Sequence, residues 1–326
     1  MLVSIAGDDG DSQAFVNAIE NDAELRDQIE LRFANREQTS ERITDAHILA
    51  CGGISSEALA AGHNLRWLAF WSAGLDGKIT SEMTNRNLLV TNASGVHGPN
   101  IAEHVLAWML MFTREMPFYL RQQIAGNYGG GDNSGRAGAN ELTGQTLGIV
   151  GLGRIGEALT QRAKSFDMRV VGTKRNPTAS YESAIHPDAV YAPEELPRLL
   201  AESDHVCVCL PHTPETEHTI NAKMLAYMKS TAYFYNIGRG KVVDEAALVA
   251  ALQNGKIAGA GLDVFETEPL PAESPLWKME NVLITPHVSG ATPHYFSRFA
   301  AQFAANLKRY QNREPLQNLY DPQKGY

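Results

Sequence analysis

The residues best suited to chemistry stand just beyond apolar runs that read as short strands. Arg239 lies in Asn236-Ile-Gly-Arg-Gly240, directly after the run Ala232–Tyr235. At the carboxyl end of a parallel strand an arginine sits where open α/β sheets bind ligands. Its planar fork matches a carboxylate bidentately, and its charge polarises an adjacent carbonyl. His287 occupies the same kind of position in Thr285-Pro-His-Val-Ser-Gly290. A histidine there can hand a proton to a developing alkoxide, and a nearby carboxylate would keep it in the imidazolium form. The intervening segment Gly261–Pro269 supplies carboxylates at Asp263, Glu266 and Glu268. Taken singly, His287 reads as a structural histidine; three such segments in succession favour acid–base work.

These positions require a sheet to hold them. Gly151-Leu-Gly-Arg-Ile-Gly156 follows the apolar run Leu147–Val150 and opens a helical segment, Glu157–Ser165. In that setting the first glycine makes the turn, the second admits a pyrophosphate and the third lets helix and strand pack closely. The pattern predicts a dinucleotide held at Gly151, Gly153, Arg154, Ile155 and Gly156, on the helix N-terminus. The next strand, Arg169–Gly172, leads into Thr173-Lys-Arg-Asn176 and carries no acid for a ribose 2′-hydroxyl, while Asp167 lies at its other end. Lys174 and Arg175 suit a 2′-phosphate instead, so NADP(H) is the expected cofactor and NAD(H) the alternative.

Further strands are expected at Leu2–Ala6, His47–Ala50, Leu65–Phe70 and Leu88–Thr91, separated by helices such as Ser12–Glu20 and Glu57–Ala61. A second series comprises six: Thr146–Val150, Arg169–Val171, His205–Leu210, Ala232–Asn236, Gly259–Val264 and Val282–Thr285. Alternation of this kind implies parallel sheets covered on both faces. The fold class expected is α/β, with two Rossmann-like doubly wound domains. Between the series, Ile101 to about Tyr119 reads as a long helix, apolar on most sides, which Pro117 would kink or stop. A helix of that character is buried between domains or between subunits. The glycine-rich stretch 126–138 reads as a mobile surface loop, and Pro293–Tyr310 as the final helix.

With 326 residues, two domains are the natural expectation. Apolar residues make up 44% and charged residues 20%, a globular balance. A net charge of −9 argues against a nucleic-acid partner. The start of the chain has no basic segment before Asp8 and Asp9, and no run is long enough to span a bilayer. A cytoplasmic protein is therefore expected. Cys207 and Cys209 read as inert core thiols, and no cluster has the spacing of metal ligands. His104 reads as a packing or interface residue, and His97, His205, His218 and His294 as ordinary ones; His212 follows a strand, near the expected cofactor.

Taken together, Ser72-Ala-Gly-Leu-Asp76, Asn100-Ile-Ala-Glu-His104, the glycine loop, Leu210-Pro-His-Thr-Pro214, Asn236–Gly240, Gly261–Pro269 and Thr285–Gly290 span nearly the whole chain. In them the sequence resembles the D-isomer-specific 2-hydroxyacid dehydrogenases, on the NADP-leaning side of the glyoxylate/hydroxypyruvate reductase-like branch. The resemblance implies hydride transfer between a dinucleotide and a 2-keto or 2-hydroxy acid. It implies that Arg239 orients the keto acid, His287 is the acid/base and Glu268 its partner. Backbone N–H groups of Ala73 and Gly74 would hold the substrate carboxylate, Asp263 would contact the nicotinamide end, and Pro211 would lie against the cofactor. It further implies a homodimer and an interrupted substrate domain, 1–98 with 290–326, around a dinucleotide domain, 99–289. Two other readings carry different activities. One is formate or phosphite oxidation, which Glu268 disfavours; the other is a dinucleotide-sensing, co-repressor-like binding protein, which the Arg–Glu–His set disfavours. Trp71, Leu75 and Tyr295 are expected to shape the substrate pocket.

Overall fold

The computed structural model describes residues 1–6, 9–34, 39–75, 77–128, 140–178 and 184–322. Asp76 and most of the expected glycine-rich loop, 129–138, lie outside the described residues. The chain forms two compact units, Met1–His97 with Thr292–Tyr326, and Gly98–Ala291.

The first unit runs β1 (Leu2–Ala6), α1 (Asp9–Glu20), β2 (Glu30–Ala34), α2 (Thr39–Arg42), β3 (Ile48–Cys51), α3 (Ser56–Ala61), β4 (Trp67–Phe70), α4 (Ser81–Asn85) and β5 (Leu89–Thr91). All five strands are parallel, in the order β2-β1-β3-β4-β5. Alternate residues serve the two faces, as a period of two requires. Val3, Ile48, Ala50, Trp67 and Ala69 join the core under α1, whereas Leu49, Cys51, Leu68 and Phe70 join the core under α3 and α4. Strand β2 is absent from the sequence-based expectations. It is a five-residue edge strand interrupted by Arg32, whose guanidinium reaches Asp45 at 2.6 Å, so the apolar signal is weak.

The second unit begins with α5 (Gly98–Thr113) and α6 (Met116–Ile124). The single helix expected over 101–119 is thus two. Glu115 takes a left-handed φ of 55° at the break, and Pro117 falls in the first turn of α6, where its missing N–H costs nothing. Apolar residues of α5 pack inside this unit: Ile101, Val105, Met109 and Phe112 share a core with Leu147, Ile149 and Leu159. That burial is supplied within this unit, by β6 and α7.

There follow β6 (Thr146–Val150), α7 (Arg154–Lys164), β7 (Arg169–Thr173), β8 (Ala189–Tyr191), α8 (Leu196–Glu202), β9 (His205–Val208), α9 (Ala222–Leu225), β10 (Tyr233–Asn236), α10 (Glu245–Gln253), β11 (Gly259–Leu262) and β12 (Val282–Ile284). Seven parallel strands, one more than expected, lie in the order β12-β11-β10-β9-β6-β7-β8. The addition is β8, a three-residue edge strand. Chain direction across the sheet reverses between β6 and β9, the crevice in which doubly wound sheets bind ligands. The last helix, α11 (Tyr295–Gln311), returns to the first unit and buries Phe299, Phe303 and Leu307 at helical spacing. Phe303 lies 5.2 Å from the Trp67 ring, and burial of such a ring contributes roughly 1.5–3 kcal/mol.

Candidate active site

The mouth of α7 is built for an anion. Gly151 turns the chain out of β6 with φ of 92°, a conformation open to glycine, and its N–H donates to Thr173 Oγ1 at 3.2 Å. Leu152 N–H then donates to the Thr173 carbonyl at 2.7 Å, tying the loop to the end of β7. The N-cap of α7 is Gly153, which brings no side-chain oxygen to its first-turn N–H groups. A Cβ built on Gly153 would meet nothing within 4 Å, whereas one on Gly156 would press Ile149 at 3.1 Å. Open space at the second glycine and close packing at the third are what a pyrophosphate at a helix N-terminus needs, so these residues fit the group. Arg154 and Ile155, half-buried, form the first turn.

Lys174 and Arg175 follow β7, the former half-buried and the latter exposed. The Glu215 carboxyl is held below its usual value by the Thr213 hydroxyl first and, among weaker causes, by the charge of Arg175. The loop after β9, with Pro211 exposed and its carbonyl accepting from Thr216 Oγ1 at 2.7 Å, therefore lies near the cations after β7.

Arg239 follows β10 in a loop shaped by its own residues. The Asn236 side chain, 2% exposed, donates to the Arg239 carbonyl at 3.1 Å and accepts from Gly238 N–H at 3.2 Å. A Cβ on Gly240 would lie 1.9 Å from the Phe265 carbonyl carbon, so only glycine lets this loop touch the segment after β11. That segment carries Glu268, whose Oε1 accepts from Phe265 N–H at 3.0 Å. Its Oε2 stands 2.8 Å from His287 Nδ1. With Nδ1–H given to the carboxylate, Nε2 is the ring nitrogen left to face a reacting group.

His287 adopts φ of 55°, a left-handed conformation that costs on the order of 1–3 kcal/mol and persists where the surroundings impose it. Enforcement comes from Asp263, which is 1% exposed. Its carbonyl accepts from His287 N–H at 2.8 Å, Oδ1 from Val288 N–H at 2.9 Å and Oδ2 from Ser289 N–H at 3.0 Å. Asp263, expected at the nicotinamide end, thus braces the loop that presents His287. The strand expected over Gly259–Val264 runs through Asp263, whereas β11 ends at Leu262, and no local pattern of residues signals this brace.

Arg239, Glu268, His287 and Asp263 all stand beyond the carboxyl ends of β10, β11 and β12 in the second unit. Ala73 and Gly74 belong to the first, half-buried after β4 in a turn where Ser72 accepts from Ala93 N–H at 3.1 Å. Beside them Trp71 packs edge-on against Phe296, and Tyr295 stacks on His97. Among the described residues, no group of three His, Cys, Asp or Glu could hold a metal, and no helix is long and apolar enough to cross a membrane.

A sheet of this order, with an open glycine loop at its crevice after β6 and a carboxylate-bonded histidine after β12, four strands away, defines a dinucleotide-binding α/β protein equipped for acid–base chemistry. Residues 106–289 match the family model described as D-isomer specific 2-hydroxyacid dehydrogenase, NAD binding domain. The chain is 38% identical over 282 residues to a glyoxylate reductase of Korarchaeum cryptofilum, covering 86% of this chain and 84% of that one. It is 37% identical over 273 residues to glyoxylate/hydroxypyruvate reductase B of Yersinia pestis, covering 83% and 82%. Among solved structures, a D-isomer specific 2-hydroxyacid dehydrogenase of Xanthobacter autotrophicus in complex with NADPH and MES superposes with a TM-score of 0.79. The two share 30% identity, with 100% of this chain and 99% of that one covered. The chain belongs to the D-isomer specific 2-hydroxyacid dehydrogenase family.

Proposed function

We propose that this protein is an NAD(P)H-dependent reductase of small 2-keto acids, of the glyoxylate and hydroxypyruvate kind, that yields the D-2-hydroxy acid and prefers NADPH. The observation that carries the reading is the Glu268–His287 pair, 2.8 Å apart at the carboxyl end of the sheet that also bears the glycine loop. The names of the relatives and the NADPH held by the Xanthobacter protein support it.

When bound, the reduced nicotinamide supplies a hydride to the keto carbon. Arg239 grips the substrate carboxylate with its fork and polarises the carbonyl. In the substrate-binding unit, 1–98 with 290–326, backbone N–H groups of Ala73 and Gly74 serve as donors for a carboxylate. His287 Nε2 gives its proton to the oxygen as negative charge develops there. Glu268 fixes the ring by accepting Nδ1–H and balances the imidazolium charge. In the dinucleotide unit, Gly151, Gly153, Arg154, Ile155 and Gly156 cradle the pyrophosphate, with Pro211 alongside, while Lys174 and Arg175 take the 2′-phosphate.

The protein acts in the cytoplasm as a homodimer, in this reading. Support for the dimer comes from α6, which turns Met116, Leu120 and Ile124 outward, the last 87% exposed. A spectrophotometric panel from glyoxylate and hydroxypyruvate to branched and aromatic 2-keto acids, run with each cofactor, tests the activity. Turnover is expected with the smallest acids and NADPH; no oxidation of either cofactor by any member of the panel would overturn the proposal. Light scattering at micromolar concentration tests the dimer.

A further inference from the structure

Helix α5 reaches the His287 loop with two polar side chains one turn apart, Asn100 and His104, which share a helix face. Asn100 Nδ2 donates to the Ser289 carbonyl at 2.9 Å. His104 Nε2 lies 3.1 Å from Thr285 Oγ1, which in turn lies 2.6 Å from Asp263 Oδ1.

Valence fixes the protons along this chain. A carboxylate oxygen accepts, so the Thr285 hydroxyl spends its one proton on Asp263 and turns a lone pair to His104. The hydrogen between His104 and Thr285 must therefore sit on Nε2. Burial lowers the His104 pKa, against the opposing pull of Asp263, which keeps the ring neutral with that single N–H.

The far end of the chain is the residue that holds three successive N–H groups, those of His287, Val288 and Ser289. Rotation of the Asp263 carboxylate about its χ2 would release the last two together. Such sp³–sp² torsions are broad and set by their partners rather than by an intrinsic well. The Thr285 hydroxyl fixes this torsion, and His104 fixes the hydroxyl.

We propose that His104 is a positioning residue: its Nε2–H locks the Thr285–Asp263 pair, and so holds the His287 imidazole where it delivers a proton. This rests on the reading of His287 as the proton donor. The rival role is packing, because the His104 ring also meets Trp108 edge-on at 4.3 Å. Two substitutions separate them. His104→Phe keeps an aromatic ring against Trp108 and loses the donor; His104→Gln loses the ring and keeps an N–H close to the Nε2 position.

Steady-state rates with NADPH and glyoxylate, cofactor affinity by nicotinamide fluorescence, and amide exchange of residues 285–290 are the measurements. For His104→Phe, kcat is expected to fall on the order of tenfold, the scale of a small misplacement of a reacting group. KM and cofactor affinity should stay within about twofold, and exchange at 287–289 should quicken. His104→Gln should restore most of the rate. Thr285→Val should match His104→Phe, and the double variant should be no worse than either single one, as expected of residues in one network. A normal His104→Phe with an impaired His104→Gln would overturn the proposal in favour of packing. Independent, multiplying losses for His104→Phe and Thr285→Val would also overturn it, as would unchanged exchange at 287–289. Faster exchange with full turnover would uphold the brace and instead remove His287 from the chemistry.

Discussion

Two histidines stand at opposite ends of the same parallel sheet. His205 begins β9, 1% exposed, stacked on Tyr233 at 5.6 Å, with Nδ1 at 2.9 Å from the Tyr235 hydroxyl and Nε2 at 2.7 Å from Gln145 Oε1. His287 follows β12, about half exposed, with one ring nitrogen on Glu268 and the other turned away from it. Both side chains have partners, yet of the two only His287 has a ring nitrogen with no hydrogen bond among the described residues. At the amino ends of the strands, neighbouring rings close over polar groups and silence them. At the carboxyl ends, the chain leaves the sheet through loops held by backbone bonds, and side chains there keep access to a ligand. The contrast predicts chemistry at one end of the sheet and stability alone at the other.

The sharpest way to break that contrast is at His287. Replacement by Asn should lower kcat by roughly 10² to 10⁴, the range for loss of a general acid, while cofactor affinity barely changes. Near-normal turnover would move the proton to another group. Next in size is Arg239→Lys, which keeps the charge and loses the fork. Its kcat/KM for the keto acid should fall roughly ten- to hundredfold, equivalent to about 1.4–3 kcal/mol. An unchanged KM would show that Arg239 does not touch the substrate.

Lys174 and Arg175 extend the same comparison to the end of β7. NADPH should outperform NADH by roughly tenfold or more in kcat/KM, since charge-assisted bonds to a phosphate are worth about 1.5–3 kcal/mol before screening. Lys174→Asp with Arg175→Ala should reverse the order, mainly through KM for the cofactor. Equal use of NADH by the unaltered protein would return both residues to the solvated surface.

His205 should move stability and leave the rate alone. Burial pushes its pKa from 6.5 down to about 4. The unfolded chain therefore takes up the proton first, so the native state is favoured in full above about pH 6.5 and loses ground as pH falls towards 4. The loss is of the order of 3 kcal/mol across that window. In His205→Gln, the drop in melting temperature between pH 7 and pH 4.5 should be smaller than in the parent, with kcat at pH 7 within about twofold. An identical drop would mean that His205 is not what links acid to unfolding.

The glycine loop was the most legible feature, because strand, turn and helix mouth are adjacent in sequence and each glycine answers a local demand. Arg239 and His287 were legible for a related reason: each directly follows an apolar run, so its place at a strand's carboxyl end needs no long-range knowledge. Strands β2 and β8 are not legible in the sequence because a short edge strand carries little apolar signal, and charged residues such as Arg32 dilute it further. Pro117 marks a break, but the chain turns earlier, at Glu115, since proline's ring and missing N–H exclude a helical bond to the carbonyl four residues before it, that of Thr113, the last residue of α5.

By itself the sequence determined the two doubly wound sheets and the side chains at their ends, because alternation, turn glycines and strand-end positions are properties of neighbours in the chain. Only the tertiary structure decided how His287 is held. Its brace joins Asp263 to the N–H groups of residues 287–289, and Asn100 and His104 to a loop more than 180 residues further on. Hydrogen bonds of that reach depend on the packing of α5 against the sheet, on angles and distances of a few tenths of an ångström, and no local pattern of residue types encodes them.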